Sequence, residues 1–246
     1  MNKISTIILC VFLLVLFCTP LLWAAETDIA DTIQEQYASI QSFRTQFEQD
    51  LTNAASGETE ERNGTIWFQK PHRIRWQTEH PDKELLVSNN NTVWDYFPED
   101  KVANKYSLQG RFESKTMLRF ISGEVNIKED FQVLNQGPDP MHSDWIKLRL
   151  VPKDPEPSLV MAYLWFEEQS NLIRQVLLVD FFGNGNQLTF QDIEQNIEID
   201  PSLFCFQPPE DVQLMKEGES GDLDFSCAKA NSEISFLRQS AQKNVF

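Results

Sequence analysis

The segment Gly64-Thr65-Ile66-Trp67-Phe68-Gln69-Lys70-Pro71-His72-Arg73-Ile74-Arg75-Trp76 holds two short apolar runs around a proline. Thr65 to Lys70 and Ile74 to Thr78 read as short strands, and Lys70-Pro71-His72 as the turn between them. Upstream, Phe43, Thr45, Phe47, Gln49 and Leu51 alternate with polar residues, the period of a strand with one buried face. A helix precedes it. Thr27 or Asp28 can cap a segment whose apolar positions, Ile29, Ile33, Tyr37 and Ile40, trace one helical face. Asn53 to Asn63 is a polar, glycine-containing link.

Downstream, Glu84 to Ser88 and Thr92 to Phe97 continue as short strands, separated by His80-Pro81-Asp82 and Asn89-Asn90-Asn91. Ser114 to Ile121 predicts a second helix with Met117, Leu118 and Ile121 as its apolar stripe, ending before Gly123. Strands resume at Phe131 to Leu134, Trp145 to Val151 and Met161 to Phe166. A late hairpin follows, Leu172 to Phe181 and Gln187 to Ile193 around Gly183-Asn184-Gly185-Asn186. Many short strands joined by hairpins, with two or three helices, predict a mainly β (α+β) protein with one antiparallel sheet that curls. Residues after Lys216 turn polar and small and read as a loose tail.

Composition narrows the function classes. The chain has 246 residues, 41% of them hydrophobic, so it can bury a sizeable core. A formal charge of −16 argues against nucleic acid, which needs clustered Lys and Arg. With 18 Phe and 6 Trp it is no disordered acidic tail, and 4 Cys are too few for a disulfide scaffold.

Residues 1–24 have the layout of a secretory signal peptide. Asn2-Lys3 gives a positive start, Ile7 to Cys18 is an apolar run, and Leu22-Trp23-Ala24 offers a small residue at the cleavage point. An uncleaved anchor would need about 20 apolar residues, and Thr19-Pro20 interrupts the run before that. A lipidated cysteine is excluded because Cys10 follows Leu9 and Cys18 follows Phe17, both bulky. Cleavage would leave Cys205 and Cys227, which can pair in an oxidising compartment.

No catalytic constellation stands out. His72, His80 and His142 lack metal-ligand spacing with one another or with the cysteines, and no nucleophile elbow is present. The carboxylates of Glu58 to Glu61, Glu99-Asp100 and Glu129-Asp130 fall in predicted turns and read as solvated faces. No metal, cofactor or enzyme activity is expected. What remains is an aromatic-rich curved sheet with amphipathic helices. Periodicity alone does not separate an ordinary filled core from a sheet that encloses a greasy cavity beneath a helical lid.

Five blocks, in order, carry a resemblance. They are Tyr37-x-x-Ile40-x-Ser42-Phe43-x-x-x-Phe47-x-Gln49, then Gly64-x-Ile66-Trp67-Phe68-x-Lys70-Pro71-x-x-Ile74-x-Trp76, then Leu86-Val87-Ser88 through Val93-Trp94-x-Tyr96. Asp180-Phe181-Phe182-Gly183-Asn184 and Phe204-x-Phe206-x-Pro208-Pro209 complete the set. Across roughly residues 30 to 215 the chain resembles the LolA-type periplasmic carriers of outer-membrane lipoproteins. The resemblance implies an unclosed β-barrel with helices over its mouth and a hydrophobic cavity for lipoprotein acyl chains. It implies cargo received from an inner-membrane ABC transporter and passed to an outer-membrane acceptor, by a monomer with no catalysis. Residues 25–215 would be the carrier domain, and the tail 216–246 receives no role.

The residues expected to line such a cavity are Phe43, Phe47, Ile66, Phe68, Ile74, Trp76 and Trp94, with Met117, Leu118 and Ile121 facing it from the lid. Ordinary core packing is the alternative for each. Many family members carry Arg where this chain has Lys70, and there the Arg helps hold the lid closed. Lysine keeps the charge but loses the planar fork of donors. Lys70, His72, Arg73 and Arg75 form one basic cluster, expected either at the cavity rim or on a solvated hairpin face. A lipid- or lipoprotein-sensing regulatory module on the same curved sheet is the rival to the carrier.

Overall fold

The computed structural model describes residues 28–89, 92–107 and 116–217. Within them, strands β1 (Ser42–Thr52), β2 (Thr59–Gln69), β3 (Arg73–His80), β4 (Glu84–Ser88), β5 (Thr92–Phe97) and β6 (Val102–Ser107) follow one another by hairpins. Strands β7 (Phe131–Pro138), β8 (Trp145–Pro152), β9 (Met161–Glu167), β10 (Leu172–Val179) and β11 (Gly185–Gln195) form the second half, and β12 (Gln213–Glu217) ends it. Helix α1 (Ile29–Ser39) precedes the sheet, while α2 (Thr116–Ser122) and α3 (Ile127–Asp130) join its halves. All twelve strands belong to one sheet in the order β12-β6-β5-β4-β3-β2-β1-β11-β10-β9-β8-β7. Strands β7 and β12 are its two edges, so the barrel is unclosed, as expected.

The register shows why the sheet has one greasy face. Phe43 lies opposite Phe68, which lies opposite Ile74; Thr45 lies opposite Ile66, then Trp76, then Leu86. These rungs come from every second residue of each strand, so the side chains collect on the concave face. They pack with Ala30 and Ile33 of α1, with Met117, Leu118, Phe120 and Ile121 of α2, and with Ile127 of α3. Asp28 caps α1 by accepting from the Ala30 amide at 3.1 Å, as its position before the apolar stripe predicts.

The outer face is partly covered by the chain itself. After β11, Ser42 Oγ donates to the Ile197 carbonyl at 2.6 Å, and Phe204 and Ile199 are buried in the following segment, which includes a 3-10 turn at Pro201–Phe204. Phe206 then packs on Trp94 and Tyr96. This crossing delivers β12 to β6, where the two strands run parallel.

Several boundaries move from the sequence reading. The polar link after β1 shrinks because pairing continues from Phe43–Phe68 out to Thr52–Thr59. Strand β6 has no clean alternation and is set by pairing with β5. Strand β12 straddles the point, residue 216, at which the sequence reading starts the tail, and α3 is one turn capped by the Asn126 side chain. Strand β10 stops at Val179, before Phe181, because Asp180 folds its carboxylate back onto the turn.

Candidate binding cavity

The core does not fill the concave face. Toward the end where the β1–β2 and β10–β11 hairpins turn, a cavity of about 700 Å³ remains. That is within the usual range of small-molecule sites, roughly 300 to 1,000 Å³. Trp76 of β3, Leu86 of β4, Met117 and Leu118 of α2, Leu178 of β10 and Leu51 of β1 supply its apolar wall. Gln49, Arg62, Thr78, Glu84 and Asn186 supply a polar part of the same wall. A second, smaller void of about 60 Å³ lies under α1, bordered by Ile33, Tyr37, Phe43 and Ile121.

The expected lining residues divide accordingly. Trp76, Met117 and Leu118 reach the large cavity, and Phe43 and Ile121 border the small void. Phe47, Ile66, Phe68 and Ile74 are buried in the packed core beneath α1 and α2, at most 1% exposed. Trp94 is on the other face of the sheet. It lies 5.6 Å from the Phe206 ring with Lys105 Nζ 5.4 Å from its own, because Val93, its neighbour, takes the inner position. The polar wall residues went unread. Gln49 follows Phe47 by two and Thr78 follows Trp76 by two, so strand parity was the signal that could have found them.

The basic cluster splits the same way. Ile74 and Trp76 point inward, so Arg73 and Arg75 point outward and do not meet the cavity rim. Arg73 Nη1 donates to Gln69 at 3.2 Å. Arg75 donates to Gln77 and, at 3.3 Å, to the Leu203 carbonyl, tying the outer crossing segment to β3. Burial pulls the Arg75 guanidinium below its ordinary value.

Lys70 and His72 instead hold the helices. Lys70 Nζ donates to the carbonyls of Tyr37 and Ala38 in the last turn of α1. His72 Nδ1 lies 2.8 Å from Glu124, just past α2. Gly123 (φ +73°) sits against Tyr37, where an added Cβ would come within 3.2 Å of the ring. The turn between β2 and β3 is thus the clip that joins both helix ends to the sheet.

Within the cavity, Arg62 bridges Glu60 at 2.6 Å and Glu84 at 2.8 Å. Desolvation lowers the guanidinium's pKa, but the hydrogen bonds and charges of the two carboxylates outweigh it and raise it. On the β10–β11 turn, Phe181 and Phe182 stand 71% and 77% exposed. Among the described residues no group of three or more His, Cys, Asp and Glu is arranged to hold a metal ion. No helix among them is long and apolar enough to cross a membrane. Cys205 is disulfide-bonded, and Cys227, its expected partner, is outside the described residues, as is the signal segment.

Residues 38–207 match the family model of the outer membrane lipoprotein carrier protein LolA. An outer-membrane lipoprotein carrier protein of Pseudoalteromonas translucida is 29% identical over 220 residues, 87% of this chain and 97% of its own. That of Chromohalobacter salexigens is 26% identical over 200 residues, 81% of this chain and 92% of its own. Among solved structures, a LolA superfamily protein of Nitrosomonas europaea has a TM-score of 0.40 at 11% identity, over 72% of this chain and 96% of that one. The match spans the sheet from the end of α1 to the outer crossing segment, and the chain belongs to the LolA family of outer-membrane lipoprotein carriers.

Proposed function

We propose that this protein is a periplasmic carrier that shelters the acyl chains of lipoproteins between the inner and outer membranes. The observation that carries the reading is the cavity left on the concave face under α2, walled by Trp76, Leu86, Met117, Leu118 and Leu178. Each buried methylene is worth roughly 0.8 kcal/mol, so a lipoprotein's acyl chains do not cross water uncovered. A carrier must cover them yet let go. The helices are tied at their ends to one turn of the sheet, by Lys70 on α1 and by His72 beside Glu124, and in this reading they are the part that moves to admit and release cargo.

In this reading residues 1–24 are a cleaved signal peptide, residues 25–215 are the carrier domain, and the tail from 216 has no assigned role. Cargo comes from an inner-membrane ABC transporter and goes to an outer-membrane acceptor. The chain works as a monomer and supplies no catalysis.

The test is a release assay. Mature protein is added with ATP to spheroplasts holding a labelled triacylated lipoprotein, and the soluble fraction is examined for a one-to-one complex. A complex that appears only with this protein supports the reading. No complex, with the same transporter active toward its own carrier, counts against it.

A further inference from the structure

We infer that the cavity admits acylated molecules whose head group is uncharged or cationic and turns away those whose head carries phosphate. This rests on the carrier reading and adds a selectivity to it. A membrane holds many acyl chains on phosphate heads, so grip on the chains alone would leave such a carrier filled with the wrong lipid.

The cavity wall is graded along the strands. Trp76 and Leu86 lie opposite each other on β3 and β4, and one step further Thr78 lies opposite Glu84. That step of two residues is about 7 Å along a strand. On β1 and β2 the same direction leads to Gln49 opposite Arg62 and Leu51 opposite Glu60. Acyl chains therefore have an apolar end to occupy, and the junction between chains and head group falls on the polar step.

That step offers a phosphate no unmatched positive charge. Among the described residues lining the cavity, Arg62 is the one cation, against the carboxylates of Glu60, Glu84 and Asp180. Its Nε is taken by Glu60 at 2.6 Å and its Nη1 by Glu84 at 2.8 Å. A second anion brought here would meet net negative charge in a half-enclosed site, and such like-charge contact is how binding sites reject close competitors.

Neutral polar groups fare differently. Thr78 is 4% exposed and lies on the cavity wall. A hydroxyl on that wall can donate to an ester or amide carbonyl brought into the cavity. Gln49, 7% exposed, donates its amide to Asn186 Oδ1 at 2.9 Å, leaving its own carbonyl oxygen to accept an amide N–H. Ester and amide groups side by side are the chemistry of an acylated, glycerylated N-terminal residue. A phospholipid brings the esters without the amide and adds the phosphate.

The test uses three tail-labelled probes of equal acyl length on the purified protein: a triacylated lipopeptide with an uncharged peptide, phosphatidylglycerol, and a diacyl lipid with a trimethylammonium head. The lipopeptide is expected to bind at least about tenfold more tightly than phosphatidylglycerol, the scale of one unpaired or repelled charge. The cationic lipid is expected on the lipopeptide's side of that gap. Glu60→Gln with Glu84→Gln should narrow the gap to within about threefold, and Thr78→Val should weaken every probe that brings ester carbonyls by about threefold to tenfold, leaving the gap itself unchanged.

Equal binding of all three probes by the unaltered protein overturns the selectivity and leaves the carrier reading standing, as does a gap that the double substitution leaves unchanged in a folded variant. Should the double variant not fold, the cationic probe decides, because its rejection alongside phosphatidylglycerol overturns the charge argument. Failure of every probe, and of a plain long-chain alcohol, overturns the carrier reading itself.

Discussion

Lys70 Nζ donates to the main-chain carbonyls of Tyr37 at 2.8 Å and Ala38 at 3.1 Å, so one lysine from the sheet closes the last turn of the first helix. Those carbonyls have no partner within the helix, and a cation there also meets the negative end of its dipole. Lys70→Met should cost about 1 kcal/mol, within the range of helix-end contacts. Lys70→Arg should recover most of it. Urea unfolding reads the cost, and faster amide exchange confined to residues 36–41 would place it at the clip. Equal loss in both variants would remove the capping role.

Gly64 sits where β2 and β3 shift register, between Phe47 and Thr78. A Cβ built on it would lie 2.0 Å from the main-chain oxygen of Gln77. Backbone cannot yield as a flexible side chain would, so Gly64→Ala should destabilise by about 3 kcal/mol or push the strands apart. A variant that unfolds at the same urea concentration as the unaltered protein would contradict this placement.

Phe47 and Met117 separate core from cavity. Phe47 is 1% exposed and meets Trp76 edge-on at 5.3 Å, so Phe47→Ala should cost roughly 3 to 5 kcal/mol. Met117 borders space that already exists, and Met117→Ala should cost about 2 kcal/mol, the low end for a buried methionine, because little new cavity is made. Denaturant melts of the pair should therefore differ by about 1 to 3 kcal/mol. Similar losses would mean that the void is filled.

Phe181 and Phe182 are held rigidly yet lie open. The Asp180 carboxylate accepts from the amides of Phe182 and Asn184 at 2.9 and 2.8 Å. Replacing both rings with Ser should move stability by less than about 0.5 kcal/mol, as for other exposed sites. Calorimetry of the double variant checks it, and a clear drop would show that the rings are packed after all.

Acid should weaken the fold through particular carboxylates. Partial burial raises the pKa of Asp139 and Asp180, but hydrogen bonds from Trp165, Met141 and His142 to the first, and from Asn184, Phe182 and Gly183 to the second, outweigh it. Ser170 and then Arg174 likewise hold Glu167 low. A folded pKa below the unfolded value of about 4 gives stability that is present above that pH and lost as pH falls through the folded value. The melting temperature should be level from pH 7 to about 5 and fall below about 4. Asp139→Asn should shallow that fall. A curve as steep as the parent's would assign the loss to other groups.

Strand existence was legible because it needs only local alternation: Phe43, Thr45, Phe47 and Gln49 announce one buried face whatever they pack against. Helix α1 was legible for the same reason, through Ile29, Ile33, Tyr37 and Ile40 and the Asp28 cap. Which face a residue takes in a short, all-apolar run was not. Val93-Trp94 could sit either way, and pairing with β4 and β6 put Trp94 outside beside Phe206. Arg73 and Arg75 could have been placed outward, since Ile74 and Trp76 between them are apolar.

The strands, the single curled sheet they build and the amphipathic helices were set by the sequence, because hydrophobic period is a property of neighbours along the chain; that the sheet stays unclosed beneath the helices was implied only by the family resemblance. Membership in a carrier family was set there too, by five blocks in order. Whether the concave face is filled or hollow was decided only in three dimensions. Phe47 and Trp76 carry the same signal in sequence, yet one is sealed in the core and the other walls a cavity. That difference depends on where α2 comes to rest over strands more than thirty positions away in sequence, and no local pattern encodes the volume left between them.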